Sequence, residues 1–100
     1  MKNICYMGTT PIVTVQIPAE HAVNLISSCE IKLTQGTTVI KKVLKDCSID
    51  TNYNTLDILL RAEELKQFSA SVVNVTCTYE LYKRDIIFAA QPFPIRIKEL

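Results

Sequence analysis

Residues 71–82 read SVVNVTCTYELY, the longest regular alternation of apolar and polar side chains in the sequence. One parity holds apolar residues and the other holds polar ones. The apolar set is Val73, Val75, Cys77, Tyr79 and Leu81, and the polar set is Asn74, Thr76, Thr78 and Glu80. Because successive side chains of a β-strand point to opposite faces of its sheet, this period of two predicts a long strand with one face in an apolar core.

Similar patterns recur along the rest of the chain. Val13, Val15 and Ile17 alternate with polar residues near the start, and residues 25–33 carry Leu25, Ser27, Cys29, Ile31 and Leu33 on one parity. Further strand-like stretches lie at 37–45, 46–49, 55–61 and 86–100. Their regular spacing predicts an all-β sandwich with immunoglobulin-like topology and about seven strands.

Turn and helix signals separate these strands. Gln35-Gly36 predicts a hairpin between the second and third strands. Residues 62–68, AEELKQF, interrupt the alternation with good helix formers and predict one short helical turn. Pro92 and Pro94 predict that the last strand is an edge strand or is broken, because proline donates no hydrogen bond to a sheet.

Length and composition limit the class of protein. One hundred residues, of which 48% are apolar, indicate a single globular domain. We expect residues 1–7 to be a flexible N-terminal extension and residues 8–100 to be the sandwich. The net charge of +1 argues against a nucleic-acid or membrane partner held by bulk electrostatics. The start of the sequence lacks the apolar core of a secretory signal, so synthesis in the cytoplasm is expected.

The four cysteines are Cys5, Cys29, Cys47 and Cys77. They include no Cys-x-x-Cys pair and the sequence has a single histidine, so no metal site is predicted. Cys29 and Cys77 occupy the strands that would be B and F of an immunoglobulin-like sandwich, where antibody domains carry a disulfide. The alternatives are that disulfide and a pair of buried thiols, and the absence of tryptophan favours the thiols.

Side chains with catalytic potential form no recognisable set. His21 lies between Glu20 and Ala22 and is interpreted as a solvated turn residue, and the adjacent Glu63 and Glu64 point in different directions. Two distant glycines exclude a glycine-rich phosphate loop. Lys41, Lys42 and Lys45 are interpreted as a solvated edge. The sequence therefore predicts no enzyme, no catalytic residue, no cofactor and no small-molecule substrate.

Assigning the inward faces leaves a set of apolar residues on outward positions. Such a set predicts a surface that another protein or a second copy covers, unless the alternation is displaced by one residue and the set belongs to the core. These residues are Ile40, Leu44, Leu59, Val72, Ile86 and Phe88.

An ordered series of short motifs resembles small prophage-encoded proteins of Gram-positive bacteria. It begins with a Gly-Thr-Thr-Pro turn and continues through a strand ending in Gln-Gly, a K-x-V-x-x-K-like strand and an Asp-Cys segment. Such proteins are similar to the immunoglobulin-like N-terminal module of phage baseplate upper proteins. The matching segments are Gly8–Pro11, Ile31–Gly36, Val39–Lys45, Asp46–Ile49, Leu56–Arg61, Glu63–Phe68, Val73–Tyr79 and Asp85–Phe88.

The resemblance implies a structural role in a phage tail or baseplate, through docking to other phage structural proteins or to itself. The sequence departs from the pattern in its seven residues before Gly8 and in the Pro92-x-Pro94 motif. It also has no counterpart to the long receptor-binding region of full-length baseplate proteins, so an adaptor or assembly component of the virion is expected. The alternative is an immunoglobulin-like binding or adhesion domain of the bacterial host.

Overall fold

The computed structural model describes residues 4–82 and 85–100, which contain nine β-strands and one short α-helix. The helix α1 covers Ala62–Leu65, and single 3₁₀ turns lie at Val23–Leu25 and Leu44–Asp46. No helix in these residues has the length and apolar character needed to cross a membrane. The strands are β1 (Ile4–Tyr6), β2 (Ile12–Gln16), β3 (Ile26–Gln35), β4 (Thr38–Val43), β5 (Cys47–Asp50), β6 (Thr55–Leu59), β7 (Val72–Leu81), β8 (Ile87–Ala89) and β9 (Phe93–Lys98).

The strands form two sheets that share one core. The larger sheet has the order β1-β9-β7-β3-β4, with β8 also paired to β7, and the smaller sheet has the order β2-β6-β5. The described strand pairs are antiparallel except β1 with β9, which is parallel. Buried side chains from both sheets form a single apolar cluster. The predicted all-β sandwich, with a helical turn near 62–68, is confirmed.

The ten-residue strands β3 and β7 pair along most of their length and form the centre of the larger sheet. Leu33 lies opposite Val75 and Ile31 opposite Cys77. The apolar parity of residues 71–82 is the inward one, as predicted. Its members are all buried: Val73, Val75, Cys77, Tyr79 and Leu81.

The start of β3 differs from the prediction. Its register against β7 shifts between Ile26 and Ser28. This irregularity brings Ile26 into the core, while Ser27 is only half-buried and its hydroxyl donates to the carbonyl oxygen of Glu80 at 3.2 Å. An extra residue in one strand reverses the parity on either side of it, which simple alternation does not anticipate.

Cys29 on β3 and Cys77 on β7 are buried thiols, and all four cysteines are unoxidised. In antibody domains the corresponding strands lie in opposite sheets. Here β3 and β7 are hydrogen-bonded neighbours in one sheet. A bond between these two sulfurs would therefore not join the sheets.

The smaller sheet follows its sequence pattern. Val13, Val15 and Ile17 are buried as predicted. Leu56 and Ile58 of β6 are paired with Val15 and Val13 and lie beside them on the same inward face. The opposite face carries polar residues together with one apolar pair, Ile12 opposite Leu59, and both members of this pair are exposed.

The start of the chain differs from the expected boundary. Residues 4–6, expected in a flexible extension, form β1, and Cys5 within it is buried. Residues 1–3 of that extension lie outside the described residues. The last predicted strand is broken into β8 and β9 around Pro92, which is one of the two outcomes that its prolines predicted. Pro94 is accommodated in β9 because the pairing with β1 begins only at Arg96.

The hairpin between β3 and β4 forms as predicted, with Gln35 paired to Thr38 and Gly36 at a φ of +58°. Glycine suits this turn because such a φ is unfavourable for residues with a Cβ atom.

Beyond the turn, the parity of β4 is opposite to the prediction. Ile40 is buried, whereas Val39 and Val43 are exposed. Lys42 shares the inward parity of Ile40 and pairs with Glu64 of α1, with 2.7 Å between Nζ and Oε2. The lysines therefore do not form one solvated edge, and the inward parity of this strand combines the buried Ile40 with the Lys42–Glu64 contact.

Asn54 connects the smaller sheet to the segment that crosses towards β3. Its side-chain amide donates to the carbonyl oxygens of Ile17 (3.1 Å), Pro18 (3.3 Å) and His21 (2.8 Å). Its Oδ1 accepts from the backbone N–H of Val23 at 2.8 Å. The residue adopts a φ of +58°, which asparagine tolerates better than most residues. The Asn54 side chain thus contacts four residues of the segment that crosses between the sheets.

Substituting Asn54→Ala removes these hydrogen bonds and leaves a residue with a Cβ atom at positive φ. We expect a loss of about 3 kcal/mol in the free energy of unfolding, measured by urea denaturation. Asn54→Gly loses the same bonds but tolerates the φ, so it should be more stable than the alanine variant by about 1 kcal/mol. An alanine variant as stable as the parent protein would contradict this role.

Because of the Lys42–Glu64 pair, we expect the free energy of unfolding to depend on pH in the acid range. Burial opposes ionisation of Glu64, but the Arg61 N–H and the Lys42 ammonium outweigh it and hold the pKa of Glu64 below its ordinary value. A carboxyl with a lowered pKa in the folded state stabilises the fold above its unfolded pKa, and this contribution disappears as the pH falls through the folded value. Glu64→Gln should cost roughly 1–2 kcal/mol near neutral pH, where partial exposure limits the effect, and should flatten the loss of stability below pH about 4.

Denaturant titrations across the acid range measure both effects. Glu30→Gln is the matched control, because Glu30 pairs with Lys32 and Lys41 on the exposed face of the larger sheet. Its effect should be the smaller of the two, since exposed pairs contribute little. Equal effects of the two substitutions would show that partial burial gives the Glu64 pair no additional strength.

Candidate interaction surface

The chain between β7 and β8 is held at both of its described ends. Glu80 near the end of β7 accepts a hydrogen bond from the backbone N–H of Asp85 at 2.6 Å and one from the Ser28 hydroxyl at 3.3 Å. The backbone N–H of Tyr82 donates to the Leu25 carbonyl at 3.3 Å. Tyr82 and Asp85 both adopt a positive φ, near +57° and +58°. The two flanks of this connection therefore have defined positions.

His21 lies beneath β8 rather than in solvent, so its interpretation as a solvated turn residue is wrong. Its Nδ1 is hydrogen-bonded to the Tyr79 hydroxyl, and its ring contacts that of Phe88 with 4.3 Å between centroids. The carbonyl oxygen of His21 accepts from Asn54, which draws this segment against the end of the larger sheet. The sequence neighbours of His21 carry no sign of this contact, because its partners are 58 and 67 residues away.

Above this cluster lies a group of exposed apolar side chains. Tyr82, Ile86 and Ile87 are 53%, 54% and 63% exposed, and Phe88 lies half-buried beside them. We call these four residues the β8 patch. Ile86 and Phe88 share one face of the strand, whereas Ile87 projects from its other face, beside Glu80. Tyr82, Ile86 and Phe88 also line a shallow pocket of about 200 Å³ together with His21 and Leu81.

The structure does not bring the six predicted surface residues together. Ile40 is buried in the core, so its outward assignment is wrong, and Leu44 packs half-buried against the core. Leu59 is exposed on the smaller sheet, and Val72 is exposed at the far end of β7 from β8. Ile86 and Phe88 lie together, in the β8 patch.

The sequence interpretation missed Tyr82 and Ile87 as members of this surface. A usable signal was present in the consecutive pair Ile86-Ile87. Neighbouring residues of an extended strand point to opposite faces, so one of two adjacent isoleucines there must point away from the core. Tyr82 carries no comparable signal, because its position follows from its positive φ at the end of β7.

Carboxylates elsewhere are used to hold turns. Asp46 accepts from the backbone N–H of Val43 at 2.9 Å, and Asp50 accepts from the N–H groups of Asn52 and Tyr53. Such contacts are the ordinary role of aspartate in turns. Asp57 is different, since its Oδ1 is buried without a hydrogen-bond partner.

The part of the chain that the structure describes contains no arrangement of side chains suited to metal coordination. Residues 4–82 and 85–100 contain no group of three or more histidine, cysteine, aspartate or glutamate side chains arranged to hold a metal ion. The β8 patch, being apolar, is suited to contact with another protein surface.

No known protein-family model matches the chain, and no curated protein shows significant sequence similarity to it.

Tyr79 should titrate abnormally, since burial, followed by the charge of Glu20, raises its pKa above the ordinary tyrosine value. A folded-state pKa above the unfolded one contributes stability below pH about 10, and that stability is lost as the pH rises through the folded value. In a spectrophotometric titration of phenolate formation, one of the four tyrosines should ionise later than the others.

The late component should be missing from Tyr79→Phe, which also loses the hydrogen bond to His21 and about 1 kcal/mol of stability. Tyr53→Phe, at an exposed tyrosine, is the matched control and should leave the late component unchanged. If the late component persists in Tyr79→Phe, the assignment to Tyr79 is wrong.

Proposed function

We propose that the protein is a non-enzymatic structural component of a phage or prophage tail or baseplate, where it acts by docking to other structural subunits. The observation that carries this proposal is the β8 patch. Tyr82 and Ile86, each more than half exposed, border a shallow pocket, and Ile87, also more than half exposed, projects from the other face of the same short strand. Exposed apolar groups gathered at one edge of a small domain mark protein contact surfaces.

The fixed position of the patch supports a docking role. Glu80 holds the N–H of Asp85, while His21 supports Phe88 from below. A surface that is ordered before contact loses less conformational entropy on binding. Tyr82 adds an aromatic ring with a polar end, a residue type that is enriched at protein interfaces.

The ordered sequence motifs supply the biological setting. They resemble prophage proteins related to the immunoglobulin-like module of baseplate upper proteins, and the fold found here is likewise an all-β sandwich. An assembly component needs a stable small domain with at least one surface that its neighbours cover. The β8 patch on a compact sandwich meets this requirement.

The test is the location of the protein after prophage induction in the bacterium that carries the gene. We expect purified tail-bearing particles to contain the chain, as measured by quantitative mass spectrometry. The double substitution Ile86→Ser and Ile87→Ser should reduce its amount in particles at least tenfold, because it replaces the apolar contact with hydroxyl groups, while leaving the thermal unfolding midpoint almost unchanged.

The matched control is Ile12→Ser with Leu59→Ser, a similarly exposed apolar pair on the smaller sheet. It should leave incorporation into particles intact. A chain absent from the particles would overturn the proposal, and its detection on the host cell surface would favour the adhesion alternative. Equal loss of incorporation in both double variants would show that the β8 patch is not the docking surface.

A further inference from the structure

We propose that Cys29 and Cys47 form a redox-sensitive pair, which a peroxide converts into a disulfide that joins the larger sheet to the smaller one. This site goes beyond the proposed docking function and does not involve the β8 patch. It also differs from the antibody-like pairing of Cys29 with Cys77, whose strands are neighbours in one sheet.

The two cysteines face each other across the sandwich. Cys29 is buried on the inward face of β3 in the larger sheet. Cys47 is the first residue of β5 in the smaller sheet, lies opposite the buried Ile58 and packs half-buried against the same core. Between β4 and β5 the chain crosses from one sheet to the other through the 3₁₀ turn Leu44–Asp46. The backbones of the two sheets approach each other at this crossing.

A hydrogen bond places the Cys47 thiol beside the edge where β4 pairs with β3. The Cys47 Sγ donates to the Val43 carbonyl oxygen at 3.4 Å. Val43 is paired with Glu30, the residue that follows Cys29 on β3. The Cys29 and Cys47 thiols are also within hydrogen-bonding reach of each other. Two cysteines in contact across a core can be joined by a disulfide where their Cβ atoms lie within about 4.5 Å of each other.

The other two cysteines are less suited to the reaction. Cys77 is buried on β7, in the same sheet as Cys29, and burial raises its pKa to about 11. Cys5 lies on β1, at the opposite edge of that sheet from β4, and burial raises its pKa as well. Neither residue lies at the crossing between the sheets.

Cys47 has the properties of the thiol that reacts first with the peroxide. It is the one partly exposed cysteine of the four. The hydrogen bond with Cys29 lowers its pKa, while burial and the nearby carboxylates of Asp46 and Asp57 act in the opposite direction. The same hydrogen bond raises the pKa of Cys29. A partly exposed thiol with a lowered pKa beside a buried second thiol is the arrangement of a peroxide-reactive and a resolving cysteine.

The chemistry balances with hydrogen peroxide as the oxidant. The Cys47 thiolate attacks one peroxide oxygen, which breaks the O–O bond and gives a Cys47 sulfenic acid and hydroxide. The Cys29 sulfur then attacks the Cys47 sulfur, forming the S–S bond, and the sulfenic oxygen leaves as water with the Cys29 proton. In total, two thiols and one peroxide give one disulfide and two waters.

The test treats the folded protein with stoichiometric hydrogen peroxide, alkylates the remaining thiols and digests with trypsin and a glutamate-specific protease. These proteases place Cys5, Cys29, Cys47 and Cys77 in separate peptides. We expect an intact mass lower by two hydrogen atoms and a linked peptide containing Cys29 and Cys47, which a reductant separates. The thermal unfolding midpoint of the oxidised protein should rise by roughly 10 °C, because the bond constrains the unfolded chain.

Cys77→Ser is the matched control and should still form the linked peptide. Cys47→Ser should abolish it, and Cys29→Ser should leave Cys47 trapped as a sulfenic acid that a dimedone probe labels. The proposal is overturned if the linked peptide joins any other pair, or if Cys47 proceeds to sulfinic acid while Cys29 remains a thiol. It is also overturned if Cys47 forms only disulfides between two chains.

Discussion

The apolar inner face of the β3–β7 pair is the feature on which the rest of this structure depends. The face includes Ile31, Leu33, Val73 and Val75, all buried. Each such side chain contributes about 1.5–3 kcal/mol when it leaves water, so an uncovered face of this kind would be unstable. The smaller sheet covers it with its own inward parity, and the two layers make one core.

Covering one sheet with another requires the chain to cross between them, and polar contacts hold these crossings. Asn54 binds the segment between β2 and β3 through four hydrogen bonds. The Lys42–Glu64 pair joins β4 to the helix that follows β6. These groups lie at the margins of the core, where the sheets no longer shield the backbone and its polar atoms need defined partners. The apolar core therefore stabilises the sandwich, and a few polar side chains determine how the chain connects its layers.

The two sites of interest arise at different edges of the same sheet. Near β8, the edge of β7 is shared between a three-residue strand and β9, which pair with different parts of β7. So short a strand covers little of its own apolar surface, which leaves Ile86 and Ile87 exposed. At the β4 edge, the chain crosses into β5, and Cys47 packs half-buried against the core that contains Cys29. The two sites are nevertheless close to each other, because Cys29 is paired with Tyr79, whose ring contacts Phe88 of the β8 patch.

Much of the fold could be predicted from local pattern, and the failures share one physical cause. Alternation identified the inward residues of β7 and β2 because there one parity is apolar and the other polar. It failed for Ile40, where Val39 and Val43 make both parities of β4 apolar, and for Ser27, where a register shift reverses the parity. It predicted Ile86 and Phe88 as surface residues but grouped them with four others that lie elsewhere.

The sequence by itself determined the class of this protein, because the period of two and the turn residues act over a few neighbouring positions. It also determined the inward faces of the strands that have a single apolar parity. Tertiary structure alone decided which strands became neighbours, which parity of β4 turned inward and why His21 packs against Phe88. It also decided that Cys29 meets Cys47 and not Cys77 across the sandwich. Those outcomes depend on contacts between residues far apart in the chain, and local periodicity contains no information about such contacts.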